Sequence, residues 1–393
     1  MQKLYFGDCL DVTQEHIPDQ SVDLVYLDPP FNSNRDYNLL SSKIGKESAK
    51  VPAFLDTWYW GIDTQQEFNE ISQGPHPEVA QTMKALYSIL GPVPMMAYLV
   101  MMGRRLLDVH RTMKPTASLY LHCDVSASHY LKILLDALFG AKNFRNEIVW
   151  HYYNKYSAGK RLFGKNFDQI LFYTKGEQYT FHPQREEREK PVKQLLRENI
   201  GGVLKNKKGA DGRVMYREVS DKKVDAVWRM PCLQPAAKEM LGYPTQKPQA
   251  LLERIIQTSS NPGDVVLDPF CGCGTTLHSS QNLERNWIGV DMNQVAIQMV
   301  QDRLNKAFPD LRYQTIGMPV GSVEQVAKKK KNQSQGQQQE LPLLGGEAPP
   351  KQKRIRRKAP PVTKLEDVAM RRSKKDQVEK VSLQSKQKNV VGS

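Results

Sequence analysis

A chain of 393 residues with 39% hydrophobic side chains can bury a substantial core, and no run reaches the ~18 apolar residues of a membrane span. Its five cysteines (Cys9, Cys123, Cys232, Cys271, Cys273) form no paired framework, and the one Cys-x-Cys lacks a second pair to complete a metal site, which excludes a disulfide scaffold and a zinc module. The net charge of +14 is unevenly placed: residues 311–393 carry +12, residues 151–243 carry +8 and the rest −6, so particular segments suit a polyanionic partner.

Residues 3–6 read as a strand, and Gly7-Asp8 lead into an amphipathic helix. The N-terminus lacks the apolar core of a signal peptide, so a reduced, cytoplasmic protein is expected. Val22-Asp-Leu-Val-Tyr-Leu27 is nearly continuous in its apolar character, the pattern of a strand buried on both faces of a parallel sheet. It ends in Asp28-Pro29-Pro30-Phe31. The prolines stop the strand and stiffen the loop. A carboxylate, a backbone carbonyl and an aromatic ring then project together, which suits a flat heterocycle bearing an amino group. The bland alternative is a strand-to-turn junction with an Asp cap.

Residues 32–60 are polar, rich in Asn and Ser, and read as a mobile loop over Asp28. A helix is expected over 95–113, then a strand ending in His122-Cys123-Asp124, with Ser126 or Ser128 capping a helix over 129–139. His122 and His129 have the chemistry of general bases, but in such places histidine is more often packed and hydrogen-bonded. Residues 147–153 and 169–174 alternate as paired strands. From 175 to 240 the chain is charged and broken by Gly201-Gly202 and Gly209, the character of an insertion, and the sheet resumes at Tyr243. Pro231-Cys232 resembles the nucleophile dipeptide of cytosine-C5 methylation but lies outside any sheet pattern, so Cys232 is read as structural.

Thr245-Gln-Lys247-Pro248 starts a helix with Leu251, Leu252, Ile255 and Ile256 on one face. Next comes Val265-Val-Leu-Asp268-Pro-Phe270-Cys-Gly272-Cys-Gly274-Thr275, then a helix, then a strand ending in Asp291. Strand, glycine turn, helix, strand and acid make a nucleotide-type binding unit. Glycines admit close backbone approach, and Asp291 stands where an acid holds a ribose hydroxyl. Position 277 is Leu, so the third glycine of a dinucleotide fingerprint is missing, and an adenosine without phosphates fits better than a pyrophosphate. Four strands end in acids (Asp28, Asp124, Asp268, Asp291). Asp124 is the one best explained as a helix cap alone.

Taken together, these residues resemble the β-class DNA amino-methyltransferases over roughly 3–310. The resemblance rests on Gly7-Asp8, Asp28–Phe31, Leu121-His-Cys-Asp124, Asn146-Glu-Ile-Val-Trp150, Gly242-Tyr-Pro-Thr-Gln-Lys-Pro248, Asp268–Thr275 and Ile288-Gly-Val-Asp291, in that order. It implies an α/β fold: a doubly wound, Rossmann-like S-adenosylmethionine methyltransferase sheet. It divides the chain into a catalytic half (1–174), a target-recognition insertion (175–241), a cofactor half (242–316) and a basic, disordered tail (317–393). Asp28, Pro29, Pro30 and Phe31 are implied as catalytic. Asp8, Lys247, Asp268, Phe270, Gly272, Gly274, Thr275 and Asp291 are implied around S-adenosylmethionine, with Asp291 on the ribose, Asp8 at the adenine edge, and Thr245 and Lys247 in a motif closing over the cofactor.

The implied reaction moves a methyl group to an exocyclic amino nitrogen of double-stranded DNA, on a base taken out of the duplex. Asp rather than Ser at position 28 favours adenine N6, with cytosine N4 the alternative. A homodimer and a cognate restriction endonuclease are further partners that the resemblance allows, and localisation would follow the nucleoid. Two other classes compete. RNA or protein-glutamine methyltransferases use similar loops, usually with Asn at the first position and the cofactor unit first. A non-catalytic DNA-binding module would explain the charge but not Asp28 together with Gly272 and Gly274.

Overall fold

Buried on both faces, Val22–Leu27 and Val265–Asp268 become neighbouring interior strands of one sheet in the computed structural model of the protein. The structure describes residues 2–31, 35–40, 50–155 and 161–317. In chain order the elements begin with β1 (Gln2–Phe6), α1 (Cys9–His16), β2 (Val22–Leu27), β3 (Arg35–Leu40), β4 (Lys50–Asp56), α2 (Ile62–Gln73), α3 (Pro77–Leu90) and α4 (Pro94–Thr112). There follow β5 (Met113–Cys123), α5 (Ser128–Phe139), β6 (Phe144–His151), β7 (Phe167–Thr174), β8 (Arg185–Leu195), β9 (Arg197–Ile200), β10 (Val203–Asn206) and β11 (Tyr216–Lys223). The last are β12 (Val227–Arg229), α6 (Gln249–Ser259), β13 (Val265–Asp268), α7 (Thr275–Asn282), β14 (Asn286–Asp291), α8 (Gln294–Ala307) and β15 (Gln314–Ile316).

Among the described residues, nine strands form one sheet in the order β12-β6-β7-β5-β2-β13-β14-β1-β15. Neighbours from β5 to β15 are parallel, whereas β7 runs antiparallel to both β5 and β6. Strand periodicity sends alternate side chains to opposite faces. Val25 and Leu27 of β2 join a core with Phe68, Met83, Leu99 and Leu134 from α2 to α5. Leu24 and Tyr26 join Leu251, Leu252, Ile255 and Ile256 of α6 on the other side. Helices therefore cover both faces of a mostly parallel sheet, the doubly wound arrangement expected. No helix among the described residues is long and apolar enough to cross a membrane.

The topology also makes a crevice. From β2 the chain proceeds toward β5, and from β13 it proceeds toward β14, in opposite directions along the sheet. The loops at their carboxyl ends diverge, and ligands of open α/β sheets bind at such a switch point.

Three local expectations change. Residues 32–60, read as a loop, contain the antiparallel hairpin β3–β4, although 32–34 and 41–49 lie outside the described residues. Asn and Ser content signals a breaker, but a partner strand supplies pairing that composition does not display. Second, the main sheet reappears before Tyr243, at β12, inside the segment read as an insertion. Trp228 explains this: it is buried opposite Trp150, donates its indole N–H to the Asp225 carbonyl at 2.9 Å and faces the Arg254 guanidinium. Third, neither Ser126 nor Ser128 caps α5. Asp124 Oδ1 instead accepts from the Ser126 and Ala127 N–H groups in the turn ahead of α5, so Asp124 is not the helix cap either, and α5 has no side-chain cap. The expected basic tail lies beyond Gly317, outside the described residues.

One contact fixes how closely α7 lies on β14. A Cβ built on Gly289 would stand 2.5 Å from Leu277 Cδ2, well inside contact distance. Gly289→Ala is expected to cost ~1–3 kcal/mol in denaturant unfolding, and Leu277→Ala ~2–5 kcal/mol. The double variant should be less destabilised than the sum, because the shortened Leu277 side chain leaves room for the new methyl. Strictly additive costs would show that this contact does not set the spacing.

Candidate active site

Parallel order places the carboxyl ends of β1, β14, β13, β2 and β5 side by side. Along this edge stand Asp8, Asp291, Asp268, Asp28 and Asp124, each at or just past the end of its strand. The structure thus brings Asp28–Phe31 beside the glycine turn 268–275, across the β2–β13 junction.

The glycine turn is conformationally demanding. Gly272 (φ 49°) and Gly274 (φ 75°) both sit in the left-handed region. A Cβ on Gly272 would press on the Tyr243 ring at 3.0 Å, and one on Gly274 would meet Val300 at 2.9 Å. The Gly272 N–H donates to Asp291 Oδ2 at 2.9 Å, and the Asn293 N–H to Oδ1 at 2.8 Å, so backbone donors orient the Asp291 carboxylate. Arg303, buried beneath the turn, donates to Thr275 Oγ1 at 3.0 Å and to the Cys273 carbonyl at 3.3 Å. Thr275 is therefore a brace of the turn. Asp268 is buried, and Oδ1 accepts from the Phe270 N–H at 3.1 Å. Burial, opposed in part by hydrogen bonds from Thr276 and the Phe270 backbone, carries its carboxyl up to about 7. Burial also pushes the Cys271 thiol well up and that of Cys273 to about 11, so neither is a ready nucleophile.

Asp8 caps α1, accepting from the Leu10 N–H at 2.8 Å, while Arg105 Nη2 donates to both of its oxygens at 2.9 and 2.7 Å. The Gly7 N–H donates to the Asp291 carbonyl at 3.1 Å and ties these two acids' loops together.

Asp28 is met by Lys247, whose Nζ lies 2.5 Å from Asp28 Oδ2 with both side chains largely buried. The ammonium also lies 5.3 Å from the Phe31 ring centroid. Lys247, placed near the cofactor by the resemblance, thus contacts the Asp28–Phe31 loop here. It is delivered by Thr245 in a positive-φ conformation (64°), unusual for a β-branched residue. Gln246 fixes the loop by accepting from the Leu241 N–H and donating to the Glu239 carbonyl.

Beneath Phe31 lies a group that sequence reasoning did not assemble. Phe31 stacks on His122 with centroids 5.7 Å apart and planes 24° off parallel. His122 is fully buried, with Nδ1 3.0 Å from the Tyr26 hydroxyl and Nε2 3.1 Å from Asp168 Oδ2. The Tyr152 hydroxyl donates to the other Asp168 oxygen at 3.3 Å. Burial works to raise the Asp168 carboxyl, but the His122 hydrogen bond and charge outweigh it and hold the group below the usual range. His122 is thus a packed, hydrogen-bonded platform. Asp168 opens an antiparallel strand, and no local pattern distinguishes it; only the β5–β7 register sets it beside His122. Cys232 is held by Asn154, whose Oδ1 accepts from the Cys232 N–H at 2.9 Å, in keeping with a structural residue.

Fold and edge together define an α/β protein with a nucleotide-type glycine turn beside an acid–proline–proline–aromatic loop. The chain belongs to the DNA methylase family N6_N4_Mtase, which it matches over residues 22–302. It is 28% identical over 310 residues to the DNA adenine methyltransferase YhdJ of Escherichia coli (strain K12), covering 77% of this chain and 82% of that protein. It is 26% identical over 295 residues to the type II methyltransferase M.HpaI of Haemophilus parainfluenzae, covering 75% and 71%. Among solved structures, the cytosine-N4-specific PvuII DNA methyltransferase aligns with a TM-score of 0.46 at 15% identity, over 86% of this chain and 94% of that one.

The Asp268 carboxyl yields a pH prediction. Its folded value of about 7 lies above the ordinary 3.8, so the neutral form is favoured in the fold and stability falls as pH rises through 7. Asp268→Asn removes this titration. Measured by chemical denaturation from pH 5 to pH 8, the variant should gain on the wild type as pH rises; a constant difference between the two would refute an uncharged Asp268.

Proposed function

We propose that this DNA methyltransferase transfers a methyl group from S-adenosylmethionine to the exocyclic N6 of adenine, on a base flipped out of double-stranded DNA. The observation that carries this reading is the adjacency of β2 and β13, which sets Asp28–Phe31 beside the glycine turn and Asp291. The turn fits an adenosine. Its two left-handed glycines keep backbone rather than side chains at the edge, and two backbone donors orient the Asp291 carboxylate, a group able to accept from ribose hydroxyls. Phe270, Gly272 and Gly274 would line the methionine end, and Asp8 lies beside Asp291 near the nucleobase. S-adenosylmethionine supplies a methyl group made electrophilic by its sulfonium.

The chain's own residues do the rest. An exocyclic amine is a poor nucleophile because its lone pair is delocalised into the ring. Asp28 and the Pro29 carbonyl accept its two N–H bonds and favour a tetrahedral nitrogen with the lone pair exposed. As the nitrogen takes the methyl group the S–CH3 bond breaks to leave a thioether, and the surplus N–H proton passes by way of Asp28 to solvent. Phe31, held from below by His122, stacks on the base, which recovers ~1–3 kcal/mol of the unstacking cost. This is positioning and electrostatic stabilisation with no covalent enzyme intermediate. Lys247 donates to the Asp28 carboxylate, so an incoming amine would replace one N–H donor with another. Segment 175–241 would serve as the target-recognition region, and the enzyme would act in the cytoplasm where the nucleoid lies.

Adenine is preferred to cytosine because Asp-Pro-Pro loops in such enzymes mostly serve adenine and because a purine gives Phe31 more stacking area. The Escherichia coli relative, named a DNA adenine methyltransferase, supports the same choice. Digestion of methylated DNA to nucleosides, followed by chromatography with mass detection, should give N6-methyladenine; N4-methylcytosine alone would overturn the base while leaving the mechanism. Asp28→Ala should lose methylation yet still bind S-adenosylmethionine by calorimetry, whereas Asp291→Ala should bind it more weakly. Equal loss of cofactor affinity in both variants would contradict the separation of roles.

A further inference from the structure

The segment 185–223 forms an arm outside the main sheet, and its two halves differ. At its root, Arg185 pairs with Asp221, and Glu186 meets both Lys222 at 3.2 Å and Arg254 of α6 at 3.3 Å. The His182 N–H donates to the Thr258 carbonyl at 2.7 Å, fastening the chain just before the arm to the end of the same helix. Helix α6 directly follows the loop carrying Lys247, so the arm is mounted on the element bordering the active site. Beyond the root, β8 pairs antiparallel with β11, and the arm then forks.

One prong is the hairpin β9–β10, closed by Gly201-Gly202, both in positive φ (62° and 86°), the conformation that a tight two-residue hairpin turn requires. The second prong, 207–215, is closed by the Met215 N–H on the Lys207 carbonyl at 2.9 Å and the Gly209 N–H on the Arg213 carbonyl at 2.8 Å. From 190 to 217 there are eight Lys and Arg against two Asp and Glu. The tip of the first prong is apolar yet open to solvent: Ile200, Val203 and Leu204 are 51%, 58% and 66% exposed. Register pairs Ile200 with Val203 on one face and Asn199 with Leu204 on the other. An apolar end on both faces of a ribbon suits insertion between two walls, since lateral docking would need one face only.

We propose that the hairpin 197–206 enters a groove of the DNA duplex and that the prong 207–215 rests on the adjoining phosphates, a proposal that deepens the DNA-methylation reading and depends on it. The major groove admits a two-stranded ribbon. Ile200, Val203 and Leu204 meet thymine methyl groups or base edges. Arg197, Asn199 and Asn206 share the face of Leu204 and carry the side chains that pair bidentately with guanine and adenine. Lys207, Lys208 and Arg213 supply the backbone contacts. Duplex DNA is chosen over a second copy of the chain because two such arms, each with eight Lys and Arg against two Asp and Glu over 190–217, repel one another.

The test uses the full chain with three sets of exposed substitutions. Sequencing of DNA from cells expressing the wild type gives the methylated site, and fluorescence anisotropy gives affinity for duplexes with and without it. Lys207→Ala, Lys208→Ala and Arg213→Ala together should lower the salt slope of log affinity by up to ~2.7, at a retained site preference. Ile200→Ser, Val203→Ser and Leu204→Ser together should leave the slope unchanged, weaken cognate binding roughly 10-fold or more and spread methylation to other sites. Arg197→Ala with Asn206→Ala should relax preference at particular positions of the site. Tip variants that keep cognate affinity and the same methylated sites overturn the proposal. So does a shift from dimer to monomer in sedimentation with DNA affinity intact, which would assign the tip to a second copy. A wild type that methylates no DNA would instead defeat the functional reading itself.

Discussion

Negative charge crowded onto one sheet edge is the constraint on which this structure depends. Parallel strand order lines up Asp8, Asp291, Asp268, Asp28 and Asp124 across five neighbouring strands. Like charges in partly buried surroundings disfavour ionisation, so each must be dealt with separately. Asp8 has the Arg105 guanidinium, and Asp28 has the Lys247 ammonium. Asp124 and Asp291 take backbone N–H donors, while Asp268, sealed beneath the turn, is carried toward the neutral form. Each acid is thus met by a different device: a guanidinium, an ammonium, backbone donors or burial.

Support for the Asp28–Phe31 loop is similarly layered. Phe31 rests on His122, which is clamped between Tyr26 and Asp168, and Trp150 meets the His122 ring edge-on at 5.7 Å. A ring stacked in this way has little freedom of its own. Prolines stiffen the loop in sequence, and this stack stiffens it in space.

Much of this was legible in the chain because the relevant signals are local. Apolar runs ending in Asp28, Asp268 and Asp291 located the interior strands, and Gly272 and Gly274 located the turn. The helix over 95–113 and the apolar face Leu251, Leu252, Ile255 and Ile256 also matched observed helices, although the second helix opens at Gln249 and not within Thr245–Pro248. What escaped depends on register between distant strands. Asp168 under Phe31, Trp228 in the sheet edge, Arg105 on Asp8 and Lys247 on Asp28 are each set by a partner far along the chain. Residues 35–56 escaped for another reason: the Asn- and Ser-rich stretches around them read as a loop, and the pairing of β3 with β4 is not displayed by composition.

The strand order has a consequence for how the chain comes to be folded. β1 and β2 follow one another in sequence, yet β13 and β14 lie between them in the sheet. The centre of the molecule therefore stays open until more than two hundred residues beyond β2 have left the ribosome. Until then Val22–Leu27 can pair only with β5 on one side, and β1 waits without any of its final partners. Contacts of such long sequence separation make for slow, late closure and a nascent chain with unpaired apolar edges. The crevice between β2 and β13 thus cannot form until Val265 has emerged, and a chain interrupted before it holds the Asp28–Phe31 loop from the β5 side alone.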